Sequence, residues 1–77
     1  MDIQKKVLRL ISEQCGLSVK EIESNQLTTK KEFGFDSIDE VEFIMALEDE
    51  FDLMIPDAEA ERLKDIQDVV SYVTSEL

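Results

Sequence analysis

The chain has 77 residues, with 19 acidic against 8 basic side chains, no histidine and one cysteine, for a formal net charge of −11. At that length folding buries only about 60% of the unfolded surface, which leaves one modest core and little room for a deep catalytic cleft. The missing histidine removes the commonest general acid–base group and the imidazole metal ligand, and a lone Cys15 excludes an internal disulfide or a multi-thiolate metal site.

The first predicted helix begins after Asp2, a good N-cap. Its apolar stripe is Ile3, Val7, Leu8, Ile11 and Cys15, and Gly16 is its stop. That stripe makes Cys15 a small core residue rather than a nucleophile. The same segment, "MDIQKKVLRLISEQCGL", is broken by charges at every turn, so it reads as neither a secretory signal nor a membrane span, and a soluble cytoplasmic protein is expected. Residues 17–35 read as a long connection, relieved by "SVKE", a capping box of Ser18 and Glu21 that docks Val19 and Ile22 on one short turn.

The second long helix starts at "DSID", capped by Asp36 with Asp39 in a box-like arrangement, and runs to about Phe51 or Asp52. Pro56 bars its continuation, and "PDAEAERL" forms only a short helix with Pro56 or Asp57 near its start. The last helix opens at Asp65, with the stripe Ile66, Val69, Val70, Val73 and Leu77. No strand pattern, repeat or linker interrupts this order. The expectation is a small all-α bundle, residues 1–77 forming a single domain.

Charge is unevenly spread. The basic residues are Lys5, Lys6, Arg9, Lys20, Lys30, Lys31, Arg62 and Lys64, so none falls between 32 and 61, where twelve acids lie. Such a segment repels nucleic acid and anionic membranes and attracts basic protein patches; solubility alone would explain an evenly acidic chain, but concentration on one segment points to a partner surface. Four of the acids, Glu48, Asp49, Glu50 and Asp52, sit at the end of a helix whose dipole prefers cations, each at a cost of about 0.3–1 kcal/mol. That cost suggests they are kept for a partner rather than for folding.

The same helix carries two apolar stripes. Counting about 100° per residue from Ser37, Phe43, Ile44, Leu47 and Phe51 fall between roughly 240° and 340°, a face wide enough to bury. Ile38, Val41 and Met45 fall between roughly 40° and 100°, with Glu42, Glu48 and Asp49 around them. Either neighbours wrap this helix from two sides, or the narrower strip is an exposed docking surface. Ser37 stands at the head. With Asp36 as the better cap its hydroxyl is left free, at a helix end suited to an anion such as a phosphodiester; the carboxylates of Asp36, Asp39 and Glu40 would push such a group outward. No histidine or suitably spaced lysine activates Ser37, so no catalytic residue is assigned. "DEFDLMIPDAEAE" lacks the alternating oxygen ligands and turn glycine of an EF-hand, and no metal site is assigned.

The stretch "FGFDSIDEVEFIMALEDEFDLMIPDAEAERL", followed by "DIQDVVSYV", resembles the acyl carrier proteins, whose signature is Gly-x-Asp-Ser-(Leu/Ile)-Asp followed by Val-Glu, an acidic helix and "IPD". The resemblance covers almost the whole chain. It implies a bundle of three longer helices and one short one, and a covalent 4′-phosphopantetheine on Ser37, installed from coenzyme A by a phosphopantetheinyl transferase. The arm's thiol would carry acyl groups as thioesters to synthases, reductases and transferases with basic patches, in fatty acid or related lipid and polyketide synthesis. By the same resemblance Ile38, Val41 and Met45 form the contact stripe. Asp36, Asp39, Glu42, Glu48 and Asp49 supply charge around it, and Ile55, Asp57 and Glu61 extend the surface. Phe43, Leu47, Phe51, Leu63 and Val69 are expected to wall a pocket for the acyl chain. The carrier is expected to be a non-catalytic monomer.

Four positions depart from the family pattern: Phe35 stands where Ala is common before the Asp-Ser pair, Ile38 replaces the commoner Leu, and Lys30 and Lys31 occupy sites usually apolar or acidic. They leave open a specialised pathway rather than housekeeping fatty acid synthesis. The alternative function is an unmodified acidic adaptor that binds basic proteins by charge.

Overall fold

The computed structural model describes residues 2–77. Helix α1 (Ile3–Cys15) starts where the Asp2 carboxylate accepts the Lys5 amide at 3.0 Å and stops at Gly16, which is left-handed at φ +80°. Helix α4 (Ser37–Phe51) and helix α6 (Ile66–Glu76) are the other two long elements, capped by Asp36 and Asp65 as their sequences predict. α1 packs against both. Val7 and Ile11 from α1, Phe43 and Leu47 from α4, and Val69 and Val73 from α6 are all but sealed from solvent, and Ile22 joins them from α2 (Val19–Ser24). The result is an all-α bundle; among the described residues no strand forms beyond one isolated bridge. No described helix is long and apolar enough to cross a membrane.

The connection at 17–35 is more ordered than expected. Ser18 and Glu21 do form a reciprocal capping box, but it opens the six-residue α2 rather than one turn. A further helix, α3 (Lys30–Phe33), carries its own box: Thr29 Oγ1 accepts the Glu32 amide and the Glu32 carboxylate accepts the Thr29 amide. Its start is tied to a distant turn, because the Lys30 amide donates to the Lys64 carbonyl and the Ile66 amide to the Thr28 carbonyl, around a Thr29–Asp65 bridge. Among the described residues three short helices therefore accompany the three long ones, where one was expected, α5 (Asp57–Ala60) being the third.

The end of α4 also has a different cause from the one expected. Asp52, left-handed at φ +53°, stops the helix four residues before Pro56. The Glu48 carboxylate then accepts the Ile55 amide at 2.8 Å and folds the chain back, while Pro56 serves as the N-cap of α5. Leu77, expected on the apolar stripe of α6, lies beyond the helix end and is exposed. Cys15 is half-buried against the core.

Candidate functional site

The site is built at the head of α4. Asp36 is extended, its Oδ1 accepts the Asp39 amide at 2.8 Å, and its own amide donates to Asp39 Oδ2 at 3.1 Å. Two donors are thus satisfied reciprocally, and Ser37 takes no part in the cap. Its side chain is exposed at the first helical position. The Ser37 and Ile38 amides precede the first intrahelical bond and have no acceptor within the helix. A hydroxyl in open solvent beside two free amides accommodates a phosphodiester, with the carboxylates of Asp36 and Asp39 each held on the other residue's backbone amide.

An aromatic ladder holds this corner in place. Phe33, Phe35 and Phe43 stack with successive centroid distances of 5.6 Å and tilts of 54° and 56°. Gly34, at φ +78°, makes the left-handed bend that lets Phe33 and Phe35 both reach inward. Phe35 is half-buried against the core, so the departure from the family's usual alanine is a packing feature.

Phe43, Leu47 and Phe51 are buried, whereas Ile38, Val41 and Met45 are 67%, 60% and 57% exposed. Neighbours do not wrap α4 from both sides. Glu42 and Asp49 are exposed beside this strip, as are Asp57 and Glu61 on and after α5. Ile55 does not extend the exposed surface: it is 6% exposed, drawn into the core by the bond between its amide and Glu48.

Two of the four acids at the end of α4 also have folding roles that the dipole argument missed. Glu50 meets Lys6 Nζ at 3.2 Å and Arg9 Nη2 at 2.6 Å, joining α4 to α1, and Glu48 holds the turn after the helix. Hydrogen bonds from Lys6 first, then Arg9, hold the Glu50 carboxyl below its usual range. The Asp39 carboxyl is lowered too, chiefly by the Asp36 amide and next by Gln14.

Gln14 is the residue sequence reading passed over. Its Nε2 donates to Asp39 Oδ1 at 2.9 Å and to Glu42 Oε1 at 3.0 Å, bridging the end of α1 to the first turns of α4. The available signal was a polar residue three and seven positions after the buried Ile11 and Val7.

Phe43, Leu47, Phe51, Leu63 and Val69 are all buried in the main cluster. None of them lines the open groove of about 970 Å³ that runs beside α4. Val41, Ile44, Met45, Ile55 and Ala60 give that groove apolar walls, Glu40, Glu48, Asp57 and Glu61 add acids, and Lys30, Lys31 and Lys64 gather at one side. The α3–Lys64 pairing is what brings these lysines together.

A family model described as the phosphopantetheine attachment site matches residues 5–73. The match spans nearly the whole chain, including Ser37, the exposed strip, the whole of α4 and most of α1 and α6. With that coverage, the chain belongs to the phosphopantetheine-attachment family of carrier domains, whose members bear a covalently attached 4′-phosphopantetheine.

Proposed function

We propose that this chain is an acyl carrier protein whose attachment residue is Ser37. The observation that carries the reading is the exposed Ser37 hydroxyl at the head of α4, left outside a complete Asp36–Asp39 cap, in a chain of this family. In the modification, Ser37 Oγ bonds to the phosphorus that bears the pantetheine of coenzyme A. The pyrophosphate bond breaks, 3′,5′-ADP leaves, and the hydroxyl proton passes to a base on the transferase. Once attached, the group supplies a thiol that holds acyl chains as thioesters.

The chain's own residues position and present. The cap orients Ser37, and the Ser37 and Ile38 amides, which have no acceptor within the helix, would be available to a phosphate on Ser37 Oγ. Ile38, Val41 and Met45 offer an apolar strip, with Asp36, Asp39, Glu42, Glu48 and Asp49 around it and Asp57 and Glu61 beyond. That pattern suits partners with basic patches: the transferase and the acyl-processing synthases, reductases and transferases of fatty acid, related lipid or polyketide synthesis. The carrier itself is non-catalytic, acts as a monomer and works in the cytoplasm, where coenzyme A is supplied. The groove beside α4, rather than the packed core around Leu47, is the place a tethered acyl chain meets apolar surface without repacking.

Intact mass after incubation with coenzyme A, magnesium and a broad-specificity phosphopantetheinyl transferase tests this. One added phosphopantetheine on the wild type and none on Ser37→Ala is the expected result. An unmodified but folded wild type, or a modified Ser37→Ala, would overturn it.

A further inference from the structure

Gln14 lies on α1, outside the recognition helix, yet one amide group of this residue reaches two carboxylates of α4. Only the –NH2 end of a glutamine has two hydrogens to offer, so the pair of acceptors also settles which way the amide points. Asp39 and Glu42 are one helical turn apart and repel each other as like charges. Asp39 is already fixed by the Asp36 amide through its other oxygen, so Gln14 completes its restraint and then ties Glu42 to it. These two carboxylates flank Ser37 and the Ile38–Val41 strip.

The chemistry of the choice matters. A lysine or arginine at position 14 would meet the same oxygens and pair with them more strongly, but it would also cancel charge that a basic partner reads. An apolar side chain of equal length would leave the charge and release the geometry. A neutral double donor avoids both losses: it orders two anions while keeping both charges. We propose that Gln14 is a positioning residue for docking of the transferase at Ser37, extending the recognition surface from α4 onto the end of α1. It acts through Asp39 and Glu42 and does not touch the reacting atoms. This rests on the carrier reading above.

Two variants test it, Gln14→Lys and Gln14→Met, each assayed for phosphopantetheine transfer kinetics and thermal unfolding with a broad-specificity transferase. For Gln14→Lys the expected result is a split: a melting temperature at or above wild type, with KM raised about twofold to fivefold and kcat unchanged, as when one exposed docking charge is cancelled. Gln14→Met should raise KM as well, while a Glu42→Gln background should shrink its effect, because one of the two carboxylates it orders is then uncharged. A purely structural role predicts something different: KM of Gln14→Met equal to wild type, or changes in KM that only follow the melting temperature. Either result overturns the proposal while leaving the carrier reading intact. The carrier reading fails separately, if wild-type protein gains no mass.

Discussion

Leu47 and Met45 stand two positions apart on α4 and should respond to the same truncation in opposite ways. Leu47 is 0% exposed and Met45 is 57% exposed. Replacing a sealed leucine by alanine loses its transfer free energy and leaves a cavity, together costing about 2–5 kcal/mol. A 77-residue domain has roughly 4–12 kcal/mol of stability in total. At about 4–8 °C per kcal/mol for this size, Leu47→Ala should lower the melting temperature by at least about 8 °C. Met45→Ala removes a side chain that is mostly in water, so its effect should stay within about 0.5 kcal/mol, or about 4 °C. Function should sort the other way. At a temperature where both are folded, Leu47→Ala should be modified at Ser37 at the wild-type rate, whereas Met45→Ala should raise KM for the transferase. Circular dichroism melts and intact-mass kinetics on the two variants are sufficient. Melting points within a few degrees of each other would refute the assignment of one stripe to the core and the other to solvent.

Gly34→Ala should cost about 1–2 kcal/mol, because φ +78° is left-handed while an added Cβ would meet nothing within 4 Å. Thermal unfolding reads the loss, and Gly34→Asn should retain part of the stability, since asparagine tolerates that conformation better. Stability should also depend on pH through Asp39, Glu32 and Glu50. Each carboxyl is lowered in the folded chain: Asp39 chiefly by the Asp36 amide, Glu32 by the Thr28 and Thr29 amides, and Glu50 by hydrogen bonds from Lys6 and Arg9. A folded pKa below the unfolded one gives stability that is complete above the ordinary carboxylate range and is lost as pH falls through the depressed folded values. Melts from about pH 7 down to about pH 3 should therefore show a fall confined to the acid end, made shallower by Glu32→Gln. A constant melting temperature below about pH 4 would contradict the bonding described for these groups.

Much of the fold is a local matter, and so was legible. Asp2, Asp36 and Asp65 cap the three long helices because a short carboxylate reaches an amide three residues on, a relation contained within one turn. Period alone separated Phe43, Leu47 and Phe51 from Ile38, Val41 and Met45, since a helix converts spacing directly into facing. It could not decide whether neighbours would cover the second stripe, which the fold leaves exposed. Thr29 and Glu32 spelled the box of α3 in the same code, and that signal was there to be read.

Other features were decided only when distant segments met. Thr29 pairs with Asp65, Gln14 reaches Asp39 and Glu42 across 25 and 28 residues, and Glu50 finds Lys6 and Arg9 on another helix. Ile55 looks exposed beside Pro56 and Asp57, yet a carboxylate seven residues back pulls its amide in and buries the side chain. Caps and periodicity act over one helical turn, so a single stretch of sequence specifies them. A cross-helix bond depends on the packing of two whole elements, which no short stretch of sequence contains.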